Sequence, residues 1–124
     1  MNNPYKDKET LALYQVRSEL AQLMGWLKDG DAFGRWQPFE NTRIWIKDAE
    51  PVKATLDETI ATLPPDCRFV GVIQGSEDDP NCLAWTAFGY IGGKHSISLI
   101  AHGNTEMTAR FSLNVALWKR VKEL

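Results

Sequence analysis

Apolar residues recur at helical spacing near the beginning of the chain. These residues are three or four positions apart: Leu13, Val16, Leu20, Leu23 and Leu27. Such spacing places them on one face of a helix. Lys28 suits the negative end of a helix dipole, and Gly30 suits a cap just beyond it. The pattern predicts a helix over about residues 8–28.

A second helical pattern follows in the middle of the chain. Asp48 is a suitable N-cap, and Pro51 is tolerated in a first helical turn. The apolar positions that we expect to be buried are Val52, Leu56, Ile60 and Leu63. Pro64-Pro65 ends the pattern, because neither proline can extend a helix. We therefore predict a helix over about residues 48–63.

Three short segments with β-branched and aromatic residues come next. They span about residues 67–74, 83–90 and 95–101 and are separated by polar or glycine-rich turns. Gly92-Gly93 indicates a tight hairpin between the last two. Ile97, Leu99 and Ala101 alternate with polar neighbours, which is typical of a sheet with one buried and one wetter face.

The chain ends in a further helical pattern over about residues 105–122. Asn104 is a suitable N-cap, and Glu106 suits the first turn. The apolar arc is wide and predicts a well-buried helix: Phe111, Leu113, Val115, Leu117, Trp118, Val121 and Leu124.

These elements predict an α+β fold in the order α-(β)-α-β-β-β-α. The sheet is expected to be an antiparallel meander of three to four strands, packed with the helices at both ends of the chain. The fourth strand would be residues 43–47, which could instead lead directly into the second helix. Because no repeat, low-complexity tract or linker interrupts the pattern, residues 1–124 are expected to form a single domain.

Composition places the chain among ordinary globular proteins. Its hydrophobic share is 44% and its charged share is 24%, which argues against disorder. The net charge of -2 makes non-specific nucleic-acid binding unfavourable. The first seven residues lack the apolar core of a signal peptide, and no apolar run approaches transmembrane length, so we expect a cytoplasmic protein with no membrane association.

The residues most often used in catalysis and metal binding are scattered along the chain. His95 and His102 flank one predicted strand on opposite faces, so they cannot share a metal ion. Cys67 and Cys82 lie at opposite ends of a predicted hairpin, about 20 Å apart, and are expected to be separate thiols. We therefore expect no catalytic residues, no metal and no cofactor.

The segment between the first two helices is predicted to be a loop over residues 30–43 and is rich in aromatic residues. Its large rings and the neighbouring arginines form the candidate binding site for a protein partner: Phe33, Arg35, Trp36, Phe39, Arg43 and Trp45. Tryptophan and arginine are enriched at binding hot spots. The alternative is that these rings cap the core as a lid over the open end of the sheet.

Several short motifs resemble the small phage and prophage proteins of the phage ABA sandwich group. In chain order they are Met24-Gly25-Trp26, Pro38-Phe39, Asp48-Ala49, Trp85-Thr86-Ala87-Phe88, Ala101-His102-Gly103-Asn104-Thr105 and Ala109-Arg110. The resemblance covers about four-fifths of the chain. It departs from the pattern at Asn104-Thr105, where an Asp-Thr-Pro type of helix start is usual, and the last helix lacks a cysteine after Arg110. The resemblance implies a phage or prophage origin and a helix-sheet-helix sandwich.

These features favour a non-enzymatic phage or prophage accessory protein in the cytoplasm of a bacterial host. It is expected to bind a host or phage macromolecule, in the first place a protein, and an inhibitor of a host defence system would fit its small size. A homodimer is an alternative, because exposed aromatic rings could meet across a two-fold axis. A nucleic-acid binder would use Lys119, Arg120 and Lys122, and a small enzyme would need a pocket converging on His102, Arg110 or a cysteine.

Overall fold

The structure is a computed structural model, and it describes residues 8–29, 35–37, 54–75, 85–94 and 96–124. Three helices and a three-stranded antiparallel sheet make up most of these residues. The elements in chain order are α1 (Lys8–Leu23), β1 (Leu27–Asp29), β2 (Arg35–Gln37), α2 (Leu56–Ala61), β3 (Cys67–Gln74), β4 (Trp85–Ile91), β5 (Ile97–Gly103) and α3 (Glu106–Glu123). Strands β3, β4 and β5 form a meander in that order, and β1 pairs with β2 in a separate hairpin. The predicted α+β class is confirmed, with three strands in the main sheet. The alternative strand at residues 43–47 lies outside the described residues.

Helix α3 is the central element of the core and has three covered sides. Leu113 and Leu117 are fully buried against the sheet in a cluster that includes Ala87 and Ile91. Phe111 is fully buried against α1, in a second cluster. A third side contacts α2. The predicted deep burial of the last helix is therefore confirmed.

One face of the sheet supplies the other half of this core. The register pairs Val72 with Ala87 and Ala87 with Ala101, so these three side chains lie in one row and face α3. Ile97 and Leu99 also pack against this cluster, as their alternation predicts. Successive side chains of a strand point to opposite faces, so the residues between them face away from α3.

The first helix is shorter than its apolar pattern predicts and packs on a different element. The amide of Gly25 donates to the carbonyl of Gln22, and the amide of Trp26 donates to that of Ala21, which is a Schellman ending. Gly25 supplies the left-handed conformation that this ending requires, with φ of 89°. The predicted cap at Gly30 is thus wrong, and the helix ends at Leu23. Moreover, α1 packs on α3 rather than on the sheet.

Two predicted connections differ from the structure. Residues 35–37 form β2 instead of part of a loop, and Lys28 lies in β1, opposite Trp36. The connection between β4 and β5 spans residues 92–96 and is wider than the predicted tight turn. Its first residue, Gly92, donates to the carbonyl of Asp66 over 2.7 Å, which ties the connection to the start of β3.

The second helix begins later than predicted and buries a different face. The Thr55 hydroxyl accepts from the amide of Glu58, and Thr55 itself is extended, so the helix begins at Leu56. The predicted N-cap, Asp48, lies outside the described residues. Leu56 and Ile60, which were expected to be buried, are 50% and 51% exposed.

Polar contacts explain which face of α2 is buried. The Asn114 amide on α3 donates to the carbonyl of Thr59 over 2.8 Å and to the hydroxyl of Thr62 over 2.9 Å. The indole of Trp118 donates to the carbonyl of Thr62 over 2.8 Å. These bonds satisfy carbonyl groups that the end of a helix leaves without a partner. The face with the two threonines is therefore buried, and Leu56 and Ile60 are not. Leu63, which follows the helix, packs against the core as predicted, and Val52 lies outside the described residues.

The last helix begins one residue later than predicted, with Thr105 rather than Asn104 as its N-cap. The Thr105 hydroxyl accepts from the amide of Thr108 over 3.1 Å. Gly103, the last residue of β5, lies so close to this turn that an added Cβ would be 2.5 Å from the Ala109 nitrogen. The sharp transition from β5 to α3 therefore depends on the absence of a side chain at this position.

We expect Asn114→Leu to lower the free energy of unfolding by about 2 kcal/mol or more, because two buried acceptors on α2 lose their donor. Gln22→Leu, the same kind of change at an exposed position of α1, is the control and should have little effect. Urea unfolding followed by circular dichroism measures both. Equal stability of the two variants would contradict the assigned role of Asn114.

We expect Gly103→Ala to destabilise the fold by about 1–3 kcal/mol, because the new methyl group overlaps the backbone of α3. Gly71→Ala is the matched control within β3, where an added Cβ meets no atom within 4 Å. Thermal unfolding of the two variants should separate them clearly. A Gly103→Ala protein as stable as Gly71→Ala would contradict the close approach described above.

Candidate functional site

The aromatic segment predicted to bind a partner is only partly described. Arg35 and Trp36 lie in β2, opposite Asp29 and Lys28 of β1. The other candidate residues lie outside the described residues: Phe33, Phe39, Arg43 and Trp45. The choice between a binding surface and a lid over the core therefore stays a prediction for this segment.

The residues that a small enzyme would need do not lie together. His102 is exposed on the outer face of β5, where its Nδ1 is 3.0 Å from the hydroxyl of Thr86. Cys67 is buried at the other end of the sheet, where it pairs with Ile91 of β4, whereas His102 pairs with Thr86 of the same strand. Ile91 and Thr86 are five residues apart along β4, which corresponds to about 16 Å. The histidine and this thiol also face opposite sides of the sheet.

Arg110 occupies a third position, on the side of α3 that meets β3. Its guanidinium carbon is 4.3 Å from the centre of the Phe69 ring, and its Nη2 is 3.3 Å from a carboxylate oxygen of Glu106. The buried Nε has no hydrogen-bond partner. These contacts hold the first turns of α3 against the edge strand, and they do not bring Arg110 to His102 or Cys67.

Cys67 has the properties of a core residue. Its thiol is buried, and this burial, together with the nearby charge of Asp66, raises its pKa above the ordinary value. A raised pKa leaves less of the reactive thiolate at neutral pH. The environment of Cys67 therefore opposes a nucleophilic role.

The basic end of α3 is partly neutralised by ion pairs. Lys119 pairs with Glu19 of α1, and Arg120 pairs with Glu123 over 3.0 Å. Lys122 lies 6.0 Å from the centre of the Trp118 ring. Two of the three cations that a nucleic-acid surface would use thus contact carboxylates, which lowers the positive charge available to a phosphate backbone.

A groove of about 450 Å³ lies beside the C-terminal end of α3, between Ile91, the Gly92–Lys94 connection and Val121. Asp66 and Lys94 are the ionisable side chains that line it. Within the described part of the chain, no three His, Cys, Asp or Glu residues are placed to hold a metal ion. Nor does any helix of that part have the length and apolar character needed to cross a membrane.

The outer face of the sheet presents a more coherent surface. The register arranges its side chains in three rows: Arg68, Tyr90 and Ser98; Gly71, Phe88 and Ile100; Ile73, Thr86 and His102. Val70 is the extra residue of a β-bulge and lies beside Gly71. These ten residues form the outer sheet patch.

Large apolar side chains of the outer sheet patch are open to solvent. Val70 is 65% exposed, Ile73 is 59% exposed and Ile100 is 55% exposed. Phe88 and Tyr90 lie between them on the central strand and are partly exposed. Among the described elements α3 is the helix that packs on the sheet, and it lies on the opposite face. The helix-sheet-helix sandwich that the resemblance implies therefore stays a prediction, because the described residues place helices on one face only.

The electrostatic character of the outer sheet patch differs from that of the whole chain. Arg68 is exposed and is its one permanently charged residue, and none of its ten positions carries a carboxylate. The chain as a whole has a net charge of -2. The acidic residues therefore lie elsewhere, and the patch is apolar with a positively charged corner.

The outer sheet patch is not predicted by the sequence pattern, because the alternation in β5 indicates that this face is the wetter one. Ile100 does indicate an apolar residue on the outer face, because it lies between Leu99 and Ala101 and its side chain must point to the opposite side of the strand. Contiguous exposed apolar side chains on a folded protein often mark an interaction site.

We expect Cys67 to react slowly with iodoacetamide at pH 8, because both burial and its raised pKa limit the thiolate. The measurement uses a Cys82→Ser background, so that a single thiol is followed. Unfolding in urea should increase the rate by at least about tenfold, since it removes both effects. Equal rates in the folded and unfolded protein would instead support an activated cysteine.

The chain was also compared with known proteins. No protein-family model, no curated protein and no solved structure matches it. The resemblance to the phage ABA sandwich group therefore stays a prediction from short motifs, and a function has to be argued from the surface of the molecule.

Proposed function

We propose that this chain is a non-enzymatic binding protein that contacts a protein partner through the outer sheet patch. The observation that carries the proposal is the exposure of Val70, Ile73 and Ile100 around the ring of Phe88. Leaving such side chains in water is unfavourable, by roughly 25 cal/mol per Å² of apolar area, and a partner surface removes that cost. The resemblance supports a phage or prophage accessory role in a bacterial cytoplasm, and inhibition of a host defence system fits such a role.

The chemistry of the partner follows from the patch. Its centre is aliphatic and aromatic, so the partner presents an apolar surface there. Arg68 lies at one corner of the patch, and none of the patch residues carries a carboxylate. We therefore expect an acidic residue of the partner to contact Arg68. A protein is favoured over a nucleic acid because the most exposed apolar side chains are aliphatic and a single permanent cation is present.

We expect Ile100→Glu to abolish binding of the partner, because a carboxylate would be buried at the centre of the interface. Ile60→Glu is the matched control, since Ile60 is exposed to a similar extent, 51% against 55%, but lies on α2. The wild-type chain and both variants are used to capture proteins from a bacterial lysate. The proposal is supported if one captured protein binds to wild type and to Ile60→Glu but not to Ile100→Glu. That protein is then purified, and titration with each of the three chains must give the same order of binding.

The wild-type chain, Phe88→Ala and Arg68→Ala are titrated with a fluorescent single-stranded oligonucleotide at low salt. Binding of the oligonucleotide that Phe88→Ala or Arg68→Ala weakens would overturn the protein-partner proposal in favour of base stacking on the sheet. Capture that is unchanged by Ile100→Glu would also contradict it, and would direct attention to the aromatic segment around Trp36.

A further inference from the structure

We propose that the groove beside the C-terminal end of α3 binds a short peptide that has apolar side chains and free ends, such as an aliphatic dipeptide. None of the residues that line this groove belongs to the outer sheet patch, so the proposal goes beyond the proposed function. The groove volume of about 450 Å³ lies within the range of about 300–1,000 Å³ that is typical of small-molecule sites.

The walls of the groove are apolar. Ile91 lines the groove and is itself buried, so it lies at the base. Val121 and Leu124 line it from the end of α3, and Pro65 lines it from the turn before β3. Leu124 is 50% exposed, and a ligand that covers this side chain removes apolar area from water. The walls therefore favour a ligand with aliphatic side chains.

Two opposite charges line the same groove and do not neutralise each other. Asp66 and Lys94 are both exposed, and among the described residues neither belongs to an ion pair. A peptide with free ends carries an ammonium group and a carboxylate, so it can pair with both residues. A fatty acid or an apolar amine can pair with only one of them, which makes the peptide the better electrostatic match.

The positions of the two charges indicate the length of the peptide. The amide of Gly92 donates to the carbonyl of Asp66 over 2.7 Å, so these two residues lie side by side. Lys94 follows Gly92 by two residues, which span at most about 7 Å of chain. Neither Gly92 nor Gly93 has a side chain that could fill the space between the charges. An extended dipeptide also spans about 7 Å, so its two ends can reach both charged residues.

Binding is measured by titrating the isotope-labelled full chain with leucyl-leucine and following the backbone amide signals by NMR. A range from about 0.1 to about 10 mM suits the modest strength of two exposed ion pairs. We expect the largest shifts at Gly92, Gly93 and Lys94. Glycyl-glycine carries the same charged ends and should bind at least about tenfold more weakly, because it buries no aliphatic area.

Blocking one end of the dipeptide tests each charge separately. N-acetyl-leucyl-leucine lacks the ammonium group, and leucyl-leucinamide lacks the carboxylate. Each should bind roughly two- to fivefold more weakly than leucyl-leucine, which is the effect typical of losing one exposed ion pair.

Two variants identify the residues that contact the ends of the peptide. Asp66→Asn removes the charge, and both aspartate and asparagine tolerate the left-handed conformation of residue 66, which has φ of 65°. This variant should bind leucyl-leucine roughly two- to fivefold more weakly and N-acetyl-leucyl-leucine as wild type does. Lys94→Gln should weaken leucyl-leucine to the same extent and leave the affinity for leucyl-leucinamide unchanged. Asp57→Asn, at an exposed position of α2 outside the groove, is the matched control and should bind all three peptides like wild type.

Three results would overturn the peptide site. They are the absence of shifts at Gly92 and Gly93 throughout the titration, a blocked dipeptide that binds as tightly as leucyl-leucine, and equal affinities of Asp66→Asn and Asp57→Asn for leucyl-leucine. The proposed function does not depend on these results, because partner binding is tested at Ile100, outside the groove. Conversely, Ile100→Glu should retain the wild-type affinity for leucyl-leucine, whether or not a protein partner is captured.

Discussion

The last helix is enclosed on three sides, and each side imposes a different requirement on the element that covers it. Leu113 and Leu117 require the apolar face of the sheet, and Phe111 requires α1. Asn114 requires hydrogen-bond acceptors, because a buried amide without partners is costly, and α2 supplies them. The position of every other described helix and of the main sheet is thus defined by its contact with α3.

This arrangement determines what remains exposed. Since α1 and α2 pack on α3, the helices of the described residues lie on one side of the sheet. The other side retains Val70, Ile73 and Ile100 in solvent. An exposed apolar face on a sheet invites association, and the nearly neutral charge of the patch does little to oppose it. The candidate site therefore arises from the way in which the core is organised and not from a catalytic motif.

The types of the three helices and of the three strands in the main sheet were predictable because they depend on local periodicity, whereas the short strands β1 and β2 were not. The strands around residues 67–74 and 97–101 and the last helix follow from alternation and from the wide apolar arc. Boundaries were less predictable because several residues compete as caps. Gly25 ends α1 five residues before the expected Gly30, and Thr55 starts α2 although Asp48 also has a suitable side chain. The Thr55-to-Glu58 spacing is a capping-box pattern that the sequence does contain.

The sequence by itself determined the α+β class, the meander of three strands and the burial of Phe111, Leu113 and Leu117, because these depend on spacing along the chain. Only the tertiary structure decided which face of α2 is buried, since that depends on Asn114, more than fifty residues away. It also decided that Ile100 remains exposed, because alternation assigns Ile100 to the outer face but does not specify whether another element covers that face. Contacts distant in sequence thus decide both the buried face of α2 and the exposure of the candidate binding surface.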